Sequence, residues 1–124
     1  MIAGGTDLLT LMKAGLAEPA RLIDLKPAPE LLGISLYPDG GLAIGAMTTL
    51  AALERAATQF AAEFPVYSLL AGSIRDAATP QLRAMATVGG NLLQQYRCWY
   101  YRDGLRCWLA GGDECDAVNG QKRW

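Results

Sequence analysis

Apolar positions along the chain come in short runs separated by glycine and proline. Residues 1–3 lead straight into Gly4-Gly5, which leaves a first strand almost no length. Thr6 or Asp7 stands where it can cap a helix through Leu8, Leu9, Leu11, Met12 and Lys13, with Gly15 as its stop. Residues 21–25, RLIDL, alternate with the period of a strand, and Pro27 and Pro29 then break regular structure. In ISLYPDGGLAIGA the turn Pro38-Asp39-Gly40-Gly41 lies between two alternating runs and predicts a β-hairpin. Thr48 or Thr49 opens a helix with Leu50, Leu53 and Ala57 on its apolar side. Another helix is expected from Phe64-Pro65, with Val66, Leu69, Leu70 and Ile74 facing inward. Beyond Pro80, QLRAMATVGGNLL carries a second glycine pair, read as a loop with the same grammar as the first. From Gln94 the texture changes: all three cysteines, all three tryptophans and three of the five tyrosines follow, as in an irregular loop facing a cofactor or a partner.

Composition fits a folded chain, with 52% hydrophobic and 19% charged residues over the 124 positions of one domain. A formal net charge of -1 supplies no positive field for nucleic acid. No apolar run reaches the ~20 residues that a membrane helix requires, so no membrane partner is expected. With no leader peptide visible, the cytoplasm is the expected compartment, and the periplasm stays open if a partner carries the export signal. Three cysteines cannot all pair within one chain, so a disulfide framework is not expected. The chain has no histidine, which removes the commonest general base and points any redox chemistry to a bound cofactor.

A glycine pair ahead of a helix lets backbone N–H groups point outward with no Cβ in the way, a geometry that can hold phosphate. Its commoner use is an ordinary strand-to-helix turn. Here a second set follows at Thr87-Val88-Gly89-Gly90-Asn91-Leu92, and the two could converge on the two phosphates of one dinucleotide. Neither fits the Rossmann fingerprint or the Gly-Lys-Ser/Thr phosphate loop.

In that order, IAGGTDLL, LAIGAMTTLAALE and ATVGGNLL resemble the FAD-binding medium subunit of the molybdenum hydroxylases, the xanthine dehydrogenase and aldehyde oxidoreductase group. The resemblance implies an α+β fold, an FAD-binding PCMH-type module with a small mixed sheet plus helices, truncated at both ends: its upstream strand and helix and its C-terminal domain would be missing. It implies FAD contacts at Ala3, Gly4, Gly5, Thr6, Asp7 and Leu8, at Thr87, Gly89, Gly90, Asn91 and Leu92, and at Ala78 on the approach to the second loop. Ile44-Gly45-Ala46 would brace the site. No side chain is expected to act as acid or base. The partners implied are a molybdenum-cofactor large subunit and a 2Fe-2S small subunit, with NAD, oxygen or ferredoxin as electron acceptor.

Residues 1–93 would form the FAD module and 94–124 a separate Cys- and aromatic-rich loop. Cys98, Cys107 and Cys115 are separated by eight and seven intervening residues, unlike a zinc knuckle or a ferredoxin run, and by spacing alone they read as buried residues or free thiols. RCWYYRDGLRCWLAGGDEC nevertheless resembles the insertion of one branch of the family that holds a 4Fe-4S cluster. That implies metal ligation by Cys98, Cys107 and Cys115, with the fourth ligand unidentified. Trp99, Tyr100, Tyr101, Trp108 and Trp124 would shield the cluster, anchor a partner or form the loop's own core. Arg97, Arg102, Arg106, Lys122 and Arg123 read as a solvated charged face. The competing readings are a stand-alone flavoprotein oxidase and a non-catalytic metal-binding interaction module.

Overall fold

The computed structural model describes residues 1–119. The elements in chain order are α1 (Leu8–Lys13), β1 (Ile34–Leu36), β2 (Leu42–Ile44), α2 (Leu50–Phe60), α3 (Tyr67–Ala77), α4 (Pro80–Met85), α5 (Val88–Leu92), α6 (Trp99–Arg102) and α7 (Asp116–Asn119). Single 3-10 turns occupy Pro29–Leu31 and Trp108–Ala110. The α+β class is as expected.

The predicted hairpin forms, with Ile34 opposite Ile44 and Leu36 opposite Leu42 in antiparallel register. Among the described residues this pair is the only regular sheet. Residues 21–25 do not make a ladder: parallel pairing is confined to a bridge between Ile2 and Asp24, where Ile2 N–H reaches the Ile23 carbonyl and Leu25 N–H returns to the Ile2 carbonyl. The expected mixed sheet is thus an antiparallel hairpin plus one parallel bridge.

The core lies between α2, α3 and the inner face of the hairpin. Thr49 caps α2 by accepting from Ala52 N–H at 3.2 Å. Leu50, Leu53 and Ala57 then recur on one helical stripe and are buried. Leu50, Leu53 and Ile74 pack with Ile34, Ile44 and Val88, while Ala57, Tyr67 and Ala71 pack with Leu36, Phe60 and Phe64. Each large aliphatic side chain so buried contributes about 1.5–3 kcal/mol.

Of the four residues expected on the inner face of α3, Leu70 and Ile74 pack on the core and Val66 and Leu69 do not. The helix begins at Tyr67, whose ring packs edge-on against Phe60 and Phe64 at 6.1 and 6.3 Å and whose hydroxyl donates to the Gly40 carbonyl. That anchor turns Tyr67, Ala71 and Ile74 inward. Leu69, two residues on, is rotated by about 200° and is 71% exposed; Val66 is also outside. Residues 80–85 form α4: Thr79 caps it by accepting from Leu82 N–H, and Pro80 occupies the first turn.

Candidate functional site

Residues 3–7 form the turn between the Ile2 bridge and α1, which opens at Leu8, and all six are half-buried. Their backbone N–H groups donate to no acceptor among the described residues. Gly5, at φ +74°, gives the turn its reversal, and a Cβ on Gly4 would run into the Met85 carbonyl. The turn therefore lies directly against the backbone at the end of α4, two residues before Thr87. Successive outward amides in such a turn make a concave donor surface for an anion.

The second glycine pair is built differently. Gly89 and Gly90 lie inside α5, with Thr87 as N-cap. Val88 N–H donates to the Thr48 carbonyl at 2.9 Å, Gly89 N–H to Ala46 at 2.8 Å, and Asn91 N–H to Thr87 at 2.9 Å. Gly90 N–H donates to Thr87 Oγ1 at 3.2 Å. The expectation that both pairs are matching loops offering amides is corrected: those four amides are already engaged. What this segment presents outward is the backbone of Gly90 and the side chain of Leu92, 79% exposed, with Asn91 half-buried. Ala46 carries a bracing role through its carbonyl. Ala78 is the C-cap of α3, and its carbonyl accepts from the Arg83 guanidinium.

Arg83, buried, also donates to Glu54 Oε2 at 3.0 Å and to the Arg75 carbonyl at 2.9 Å, tying α2, α3 and α4 together. Beside it Ala51, Glu54, Arg55, Thr58, Gln59, Pro80 and Arg83 line an open groove of about 440 Å³, which includes none of the glycine-loop residues.

The cysteines depart from the ligand set expected of them. All three are free, and among the described residues no group of three or more Cys, Asp or Glu side chains is gathered so as to hold a metal ion. Cys107 is buried, and its carbonyl accepts from Ala110 and Gly112 N–H at 3.0 and 2.9 Å. Arg106 pairs with Glu114 and Asp116, so charge pairing and backbone turns organise this stretch. Trp99 and Trp108 are mostly exposed and do not form a core of the loop. Trp124, Lys122 and Arg123 lie outside the described residues.

Sequence reasoning missed Arg102. Its side chain is only 10% exposed and donates to Asp7 at 3.1 Å across 95 residues, which is not the solvated face expected. No local pattern signals a pairing at that separation.

A half-buried turn whose amides are free among the described residues, seated against the end of α4 shortly before a capped second glycine motif on an α+β scaffold, suits an anionic nucleotide such as the FAD diphosphate. The family described as FAD binding domain in molybdopterin dehydrogenase matches residues 1–122, and the chain belongs to it. The chain is 43% identical over 105 residues to the aldehyde oxidoreductase FAD-binding subunit PaoB of Escherichia coli K12, covering 82% of this chain and 30% of that protein. It is 39% identical over 93 residues to a xanthine dehydrogenase FAD-binding subunit of Escherichia coli O157:H7, covering 74% and 30%. The solved structure of reconstituted CO dehydrogenase from Oligotropha carboxidovorans aligns with TM-score 0.60 at 40% identity, over 72% of this chain and 29% of that one. The chain thus spans about 30% of the length of these relatives.

Proposed function

We propose that this chain is the FAD-holding part of an electron-transfer subunit in a molybdenum-containing hydroxylase or dehydrogenase. The observation that carries the reading is the run of amides at residues 3–8, unpaired among the described residues, with Gly4 pressed against Met85 just before Thr87. In this reading Ala3, Gly4, Gly5, Thr6, Asp7 and Leu8 hold the diphosphate through the main chain. Thr87, Gly89, Gly90, Asn91 and Leu92 shape the adjoining wall. FAD, when bound, supplies the ability to accept single electrons and release pairs; the chain's work is to bind and orient it.

A molybdenum-cofactor large subunit and a 2Fe-2S small subunit are the proposed partners, supported by the relatives being subunits of aldehyde oxidoreductase and xanthine dehydrogenase. NAD, oxygen or ferredoxin is the proposed acceptor. A cytoplasmic setting accords with three free thiols. The 4Fe-4S cluster rests on the likeness of residues 97–115 alone, and iron and acid-labile sulfide analysis after anaerobic purification decides it.

The deciding test is titration of the chain with FAD followed by its visible spectrum. Stoichiometric retention of flavin through gel filtration is expected; a colourless chain that retains zinc would instead favour a metal-binding interaction module.

A further inference from the structure

Arg102, at the C-terminal end of α6, directs Nη2 to Asp7 Oδ1 at 3.1 Å and Oδ2 at 3.5 Å. Its Nε donates to the Tyr96 carbonyl at 3.0 Å, so the guanidinium is held from both sides. The Arg102 side chain is 10% exposed and that of Asp7 22%, so water screens this pair less than a surface pair. Arg97 adds a second guanidinium 3.6 Å from Asp7, but its side chain is 65% exposed and it contributes little.

Asp7 is the only charged side chain among residues 3–8, the segment whose amides are free among the described residues. It occupies the N-cap position of α1, yet its carboxylate accepts nothing from that helix and is turned to Arg102. An unneutralised carboxylate beside these donors would repel any anion they bind. Paired with Arg102, it leaves the turn without net negative charge.

Resting on the FAD reading above, we propose that Arg102 is a positioning residue for the FAD diphosphate. By cancelling the charge of Asp7 and engaging its carboxylate, it makes the glycine turn receptive to an anion. The Cys- and aromatic-rich stretch is thereby a working part of the flavin site.

The test is FAD titration of the 124-residue chain, read by flavin fluorescence, with wild type, Arg102→Gln, Asp7→Asn and the double variant. Arg102→Gln is expected to weaken binding by about tenfold, and more so as salt is lowered. Asp7→Asn is expected to tighten binding by a similar factor, and the double variant to return close to wild type. A wild type that binds no FAD overturns the function proposed above and this inference with it. Wild-type binding with no change in Arg102→Gln overturns this inference alone. A double variant as weak as Arg102→Gln means that Arg102 is only a strut, and overturns charge cancellation. Should Arg102→Gln fail to fold by circular dichroism, Asp7→Asn decides: tighter binding supports the proposal, unchanged or weaker binding overturns it.

Discussion

Thr49 and Thr87 face one another across an isolated antiparallel bridge, and each is the N-cap of the helix that follows it. Leu50 N–H reaches the Ala86 carbonyl at 2.8 Å and Val88 N–H the Thr48 carbonyl at 2.9 Å. The start of α2 is thereby fixed against the start of α5, and the second glycine pair is held at the edge of the core. Thr87→Val keeps the β-branched shape but removes the oxygen that accepts from Gly90 N–H. It is expected to cost about 1 kcal/mol, read from urea unfolding, while Thr87→Ser loses less.

Tyr67 joins α3 to the hairpin turn through its hydroxyl, 27 residues from its acceptor Gly40. Tyr67→Phe should lose about 1 kcal/mol, whereas Tyr67→Ala, which empties the space between Phe60 and Phe64, should lose about 3–5 kcal/mol. Equilibrium denaturation of both variants measures the difference.

Removing Arg83 strips donors from two carbonyls and from the Glu54 carboxylate. Arg83→Ala is expected to cost about 3 kcal/mol or more. The double variant Arg83→Ala with Glu54→Ala should cost less than the sum of the two single changes, because the Arg83–Glu54 contact is lost only once, while Arg75 Nε still pairs with Glu54 at 3.3 Å in the Arg83→Ala single variant. A double-mutant cycle checks this.

Gly4→Ala drives a methyl group into the Met85 carbonyl. A loss of about 1–3 kcal/mol is expected, together with weakened FAD binding. Gly72→Ala, in α3 with open space around it, is the control and should be neutral or stabilising by up to about 1 kcal/mol. Thermal melts with and without FAD separate the two effects.

If the amides of residues 3–8 hold a diphosphate, FAD should raise the melting temperature and riboflavin, which lacks one, should not. At a hundredfold excess over Kd the added stability is about 2.7 kcal/mol. Differential scanning fluorimetry at matched flavin concentrations makes the comparison.

What could be read in the sequence was local. The hairpin followed from its Pro-Asp-Gly-Gly turn, and the Thr49 cap from a hydroxyl placed before an apolar stripe. On α3, Leu70 and Ile74 face inward as expected, while Val66 and Leu69 do not, because the helix phase depends on where Tyr67 finds Phe60, Phe64 and the sequence-distant Gly40. Thr79-Pro80 is a legible helix start that was passed over in favour of the glycines after it. The two glycine pairs look alike as strings, yet only tertiary hydrogen bonds to Ala46 and Thr48 decide that the second has no amides to spare. The Asp7–Arg102 pair leaves no trace in local pattern at all.

Among the described residues, the Ile2 bridge holds the N-terminal segment through two main-chain hydrogen bonds, and none of residues 2–8 belongs to the buried clusters on α2 and α3. Amide protons around residues 2–8 should therefore exchange with deuterium through local breathing, long before those of Leu53 or Ala71 require global opening. A ligand laid across that segment would slow exchange there first, so the glycine turn and the α2–α3 core are expected to open as separate cooperative units.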